Sequence, residues 1–321
     1  MKRPSALIGW CRLACCLLLV LVLWPPARAA AQETQRRMMA HGGIERSYEL
    51  HLPPGESRSP RPLVLSLHGL SRSPDPLIGH RAWLPMDSIA DREGFVIAYP
   101  VAVEGRWSFW PGTGVVQPDG TEVDDVGFVL ALLDTLVADG TADPRRLYAV
   151  GISRGAMLSW VLGCRLSDRL AAIAPLSSPA REALLAGCAP KMPPAVMAIA
   201  GVADPVQLYD GWLDPPPLGR LLSMPETMEL WRRLHGCTGQ SFEALPHRDR
   251  ADPTRIGRIT WTGCASGLPV LLYRVIGGGH QPPSFTPNSD AERARFGRRA
   301  NDMETGEEVW RFFQPIVRPG P

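Results

Sequence analysis

The sequence predicts an α/β fold with a mostly parallel central sheet flanked by helices, in a single domain. Two observations predict it. Short apolar runs, too brief for helices, recur down the chain and alternate with stretches whose apolar residues repeat at three- and four-residue steps. At the centre, the apolar run Leu147-Tyr148-Ala149-Val150 meets Gly151-Ile152-Ser153-Arg154-Gly155, and a helix-compatible segment starts at Ala156. No repeat and no flexible linker divides the chain, and its 33 prolines lie between elements.

The elements follow in order. Glu45 to Leu52 alternates in character and predicts an antiparallel edge strand. Leu63 to Leu67 and Phe95 to Tyr99 are apolar runs that predict buried strands, with a helix around Asp87 to Arg92 between them. Residues 101 to 123 form a long loop rich in Gly, Trp and Pro. Val126 to Val137 predicts a helix, capped by Asp124 and Asp125, whose carboxylates suit the amides of a helix start. Beyond the central serine, Leu170 to Pro175 and Ala195 to Ala200 predict strands and Met224 to Leu234 a helix. Ile256 to Trp261 and Val270 to Ile276 predict strands, and Glu304 to Phe313 the closing helix.

The first residues have another purpose. Met1-Lys2-Arg3, an apolar run from Leu13 to Trp24, and Ala27-Arg28-Ala29 predict a signal peptide over residues 1–29, with Ala31 as a second cleavage point. The run is short for a membrane span, so the domain of residues 30–321 is expected to be secreted, extracellular or periplasmic, with no stable membrane association. Losing Lys2, Arg3, Arg12 and Arg28, and no acid, takes the formal charge from +2 to −2. That leaves no excess positive charge to favour nucleic acid. Four cysteines remain beyond the leader: Cys164, Cys188, Cys237 and Cys264. An even count in an exported chain predicts two disulfides; three pairings are open, and sequence order favours the local ones.

The central pentapeptide has the pattern of a nucleophile elbow, a strand–turn–helix that presents a serine on a sharp bend. A serine hydroxyl is a poor nucleophile until a base takes its proton. In the α/β-hydrolase order, an acid and then a histidine follow the serine, each after a strand. Asp204, in the turn after Ala195 to Gly201, is the candidate acid, with Asp210 and Asp214 further along the same loop. His280 is the candidate base, because it follows a strand and the Gly277-Gly278-Gly279 loop. His41 and His51 precede the elbow, and His80, His235 and His247 lack a strand-end context. His68-Gly69-Leu70 suits an oxyanion loop, so the Leu70 and Arg154 backbone N–H groups are the expected oxyanion donors. Trp107 and Trp110 are candidates to hold an aromatic or polyester acyl chain, the alternative being packing beneath the loop.

Leu67-His68-Gly69, Val123-Asp124-Asp125-Val126-Gly127-Phe128-Val129, Gly151 to Met157, Ala203-Asp204-Pro205-Val206 and Gly277-Gly278-Gly279-His280 occur in that order. Together they resemble the secreted polyhydroxybutyrate depolymerase and feruloyl esterase group of α/β-hydrolases, from about Arg46 to Phe313. The resemblance implies a serine carboxylic-ester hydrolase with no metal and no organic cofactor. It also implies Ser153, Asp204 and His280 as a triad, locally paired cysteines, and a small or oligomeric ester as substrate. A feruloyl-type carbohydrate esterase, a secreted serine peptidase of the same fold and a non-catalytic hydrolase scaffold are the rivals. Two departures stand out: Arg154 follows the serine where a small or amide residue is common, and Gln281-Pro282-Pro283-Ser284 replaces a Thr-Trp-Pro-Gly.

Overall fold

The computed structural model describes residues 33–55, 59–110, 112, 114–215 and 219–319. The expected signal peptide lies outside them. In chain order the elements are β1 (Glu33–His41), β2 (Ile44–Leu52), β3 (Arg61–Leu67), α1 (Pro76–Trp83), α2 (Asp87–Glu93), β4 (Val96–Pro100), α3 (Asp125–Ala138), β5 (Ala142–Ile152) and α4 (Arg154–Arg165). There follow β6 (Ala172–Leu176), α5 (Glu182–Leu185), β7 (Ala195–Gly201), β8 (Trp212–Leu213), β9 (Arg220–Leu221) and α6 (Met224–Leu234). The chain closes with β10 (Gly239–Ala244), β11 (Arg255–Thr262), β12 (Val270–Ile276), α7 (Asp290–Phe296) and α8 (Thr305–Phe313).

One ten-stranded sheet organises the molecule, in the order β1-β2-β4-β3-β5-β6-β7-β12-β11-β10. The six strands from β4 to β12 run parallel, and an antiparallel pair extends each end. The period-two alternation of strands sorts the core into two layers. Leu63, Leu65 and Leu67 face one layer, where α3, α4 and α6 bring Leu132, Trp160 and Trp231. Val64, Ile97, Tyr99 and Val150 face the other, where α2 and α8 bring Ile89, Trp310 and Phe313. Burial on both faces explains why the central strands read as unbroken apolar runs.

The predicted edge strand is not at the edge. β1 pairs with β2 along its whole length, from Glu33 opposite Leu52 to His41 opposite Ile44. β1 (ETQRRMMAH) and the fully exposed β10 (GQSFEA) bury too little to show as apolar runs, which is why periodicity misses both. Their charged residues suit open edges: Glu243 of β10 pairs with Arg258 across the strand. α1 starts at the Asp75 cap, which accepts from the Leu77 N–H at 2.9 Å. α7 starts at a Ser289–Glu292 capping box and buries no residue. Asp124 caps α3 through the Gly127 N–H at 2.8 Å, whereas Asp125 does not cap: its buried carboxylate pairs with the buried Arg46 guanidinium. Disulfides join Cys164 to Cys188 and Cys237 to Cys264. Among the described residues, no helix is long and apolar enough to cross a membrane.

Candidate active site

The carboxyl ends of parallel strands are where open α/β sheets gather ligand-binding loops. β3 runs into His68-Gly69-Leu70, β5 into Ser153, β7 into the turn bearing Asp204, and β12 into the loop bearing His280. The β5–α4 turn is a sharp elbow. A Cβ at position 151 would collide with the Gly155 carbonyl, and one at 155 with the Leu67 carbonyl. Glycine at both positions lets α4 approach β5 and β3 this closely. Ser153 takes φ 56° and ψ −115°, a conformation that costs a non-glycine residue on the order of 1–3 kcal/mol. It persists because both flanks are fixed: the Ser153 N–H donates to the Leu176 carbonyl at 2.9 Å, and the Ser153 carbonyl accepts from the Met157 N–H at 3.1 Å.

Asp204 and His280 meet across neighbouring strands. One Asp204 oxygen accepts from the Val206 and Gln207 N–H groups, at 2.7 and 2.9 Å. The other accepts from His280 Nδ1 at 2.7 Å. A carboxylate only accepts, so Nδ1 carries the proton and Nε2 is left as the basic nitrogen. Both side chains are almost wholly buried. Their loops are tied together by the Ala203 N–H on the Gly278 carbonyl at 2.9 Å, and the His280 N–H reaches the Phe296 carbonyl at 2.6 Å. Trp83 stands edge-on to the imidazole at 6.1 Å and Phe296 stacks on it at 6.2 Å. Ser153 and His280 line one cavity. No hydrogen bond joins them among the described residues; such contacts are commonly long in a ligand-free site and tighten around substrate. The other acids of the Asp204 loop are elsewhere: Asp210 is exposed, and Asp214 pairs with Arg181 at 2.7 Å.

The His68 loop is braced from below. The Ala102 N–H donates to His68 Nε2 at 3.1 Å, so Nδ1 holds the proton and donates to the Gly69 carbonyl at 2.6 Å. Burial pushes the His68 pKa down to about 4 and keeps the ring neutral. Gly69 lies against Ser153, since a Cβ there would sit 3.4 Å from the Ser153 Cβ. Leu70 is 61% exposed and lines the cavity beside Ser153 and Arg154.

Trp107 corrects an expectation. It is fully buried and absent from the cavity wall; its indole N–H donates to the His68 carbonyl at 2.7 Å, and its ring packs on the imidazole at 4.7 Å. Trp107 therefore holds the His68 loop, and Phe109 joins Trp110 in the wall instead. The segment has no regular secondary structure, so no periodicity in the sequence tells which of its aromatic rings faces the cavity. The segment is fastened at two points. The Asp125 carboxylate accepts from the Ser108 N–H as well as from Arg46. Arg154 donates through Nε and Nη2 to the Trp107 carbonyl at 3.0 and 2.7 Å, with its guanidinium 5.1 Å from the Phe109 ring centroid. The cavity measures about 920 Å³, ample for a small or oligomeric molecule.

A carboxylate-oriented imidazole beside a serine on a strained elbow has the parts of a hydrolase, and comparison with known proteins gives the same answer. The profile of the esterase PHB depolymerase family matches residues 46–221, more than half of the chain. The chain belongs to this family. It is an ester-hydrolysing enzyme of the α/β-hydrolase fold. The NocK protein of Nocardia uniformis subsp. tsuyamanensis, which bears the name of an esterase, is 32% identical over 268 residues, 79% of this chain and 75% of that one. Feruloyl esterase B of Piromyces equi is 29% identical over 197 residues, 59% of this chain but only 34% of that protein. An acetyl xylan esterase from Aspergillus awamori superimposes with a TM-score of 0.59 at 13% identity, over 88% of this chain and 99% of that one, a likeness of fold. Sequence reasoning missed two residues that bear on this esterase's site. Trp83 ends a helix that the sequence reading did not predict, and Arg46 lies in a polar-looking strand where nothing marks it as the buried partner of Asp125.

Proposed function

We propose that the enzyme is a secreted serine esterase that cleaves hydroxyalkanoate oligomers or related short esters through Ser153, Asp204 and His280. The observation that carries this reading is the 2.7 Å hydrogen bond from His280 to Asp204, with the Ser153 elbow in the wall of the same cavity. Ser153 Oγ attacks the ester carbonyl while His280 Nε2 takes its proton. Asp204 keeps Nδ1 protonated and stabilises the imidazolium. The backbone N–H groups of Arg154 and Leu70 hold the oxyanion of the tetrahedral intermediate. Collapse breaks the bond to the alcohol oxygen, which leaves with the proton from Nε2. Water, deprotonated by His280 Nε2, then attacks the acyl carbon; the bond to Ser153 Oγ breaks, Oγ takes the proton back from Nε2, and the acid leaves. Two disulfides suit an oxidising compartment outside the cytosol.

A feruloyl-type activity is the second reading. It is favoured by the Phe109 and Trp110 rings in the cavity and by the name of the Piromyces relative. A substrate panel separates the two: p-nitrophenyl butyrate, 3-hydroxybutyrate oligomers, methyl ferulate and a peptide amide. Turnover of the butyrate ester and the oligomers, lost in Ser153→Ala, is the expected result. Preference for methyl ferulate would select the second reading, and an active Ser153→Ala enzyme would remove Ser153 from the mechanism.

A further inference from the structure

The cavity wall has a one-sided charge. Four arginines line it, Arg72, Arg154, Arg181 and Arg295, and among the described residues no aspartate or glutamate does. The chain carries 34 cationic and 32 acidic side chains, so its overall composition does not dictate such a bias.

The four arginines differ in what they already hold. Arg154 is committed to the Trp107 carbonyl, and Arg181 to Asp214 and the Gly219 carbonyl. Arg72 and Arg295 are exposed at the mouth, and neither forms an ion pair among the described residues. Arg295 lies over the Phe296 ring at 4.8 Å, and Phe296 in turn stacks on His280. The nearest acids in sequence are spoken for: Asp75 caps α1 through the Leu77 N–H, and Glu292 closes the α7 capping box and accepts from Gln281. Burial is the main cause that lowers the Arg154 pKa to about 10; Arg106, outside the wall, and Arg181 add to it, and Asp125 opposes them. A concave wall of one sign concentrates oppositely charged ligands at its mouth.

Resting on the ester-hydrolase reading above, we propose that the cavity selects esters carrying a free carboxylate away from the scissile bond, received by Arg72 and Arg295. The carboxylate takes no part in bond-making. Its attraction raises the capture of substrate, and the Ser153 chemistry is unchanged. An oligomer with a terminal acid group has this form, whereas a fully esterified or neutral acyl chain does not.

The test compares p-nitrophenyl butyrate with mono-p-nitrophenyl glutarate, which is the same acyl chain extended by a carboxylate, after subtracting enzyme-free hydrolysis. The kcat/KM ratio of glutarate to butyrate is expected to be roughly tenfold at low salt. It should fall towards parity as sodium chloride rises from about 0.02 M to about 0.5 M. The double variant Arg72→Gln/Arg295→Gln should lower the ratio severalfold, and Arg72→Lys/Arg295→Lys should retain much of it. A ratio at or below one at low salt overturns the proposal. So does a double variant that loses both esters in equal proportion, because the ratio has then not moved. Inactivity of the unmodified enzyme on both esters would instead overturn the ester-hydrolase reading beneath it.

Discussion

At the scale of the residue, Ser153 is where structure and chemistry pull apart. Its φ of 56° suits glycine, yet the proposed chemistry needs a hydroxyl there. In the proposed mechanism the strained turn presents Oγ to the cavity that Ser153 lines. Ser153→Ala and Ser153→Gly should therefore both abolish ester hydrolysis but differ in stability. The glycine variant should be more stable than the alanine one by about 1 kcal/mol in urea unfolding, because only glycine relieves the backbone. Equal stabilities would mean that the elbow is not strained. Arg154 has a second division of labour: its backbone N–H is the proposed oxyanion donor, while its guanidinium clamps the Trp107 carbonyl.

At the scale of the element, the aromatic segment 107–110 is a loop made rigid by a buried charge pair. Burial pushes the Asp125 carboxyl up, and Arg46 and the Ser108 N–H oppose that shift. Asp125→Ala would strand Arg46 in the core and release Ser108. A loss of about 3–5 kcal/mol is expected in denaturant unfolding, with most of it recovered when Arg46→Met is added. A double variant no more stable than the single would show that Arg46 is not what makes the loss large. This pair also marks the limit of sequence reading. The central strands, α3, α6 and α8 were legible because each buries a continuous or periodic apolar face. The elbow, Asp204 and His280 were legible because their spacing follows from strand ends. α7 was not, since it buries nothing, although the Ser289-x-x-Glu292 cap was there to be read. Arg46 and Trp107 were not, because their partners lie 79 and 39 residues away and only the folded sheet brings them together.

At the scale of the whole molecule, several buried histidines are held neutral. Burial lowers His68 and His235 to about 4 and His80 to about 3. An unfolded chain titrates them near 6.5, so between that pH and about 4 it binds more protons than the folded enzyme. Stability is therefore fully present above pH 6.5 and is lost as the pH falls, by up to about 1.4 kcal/mol per pH unit for each group. Urea unfolding at pH 7 and pH 5 should show the decline, and a flat profile would mean that these rings are not buried neutral. Two core layers clamp a sheet blunted by charge at both edges, and the proposed site lies at the carboxyl ends of its parallel strands. The most direct test of that site is covalent labelling with a fluorophosphonate, followed by intact mass and peptide mapping. One adduct per chain, on Ser153, with ester hydrolysis lost in step and labelling slowed sharply in His280→Ala, is the predicted result. An adduct on another residue, or hydrolysis that survives complete labelling of Ser153, would contradict it.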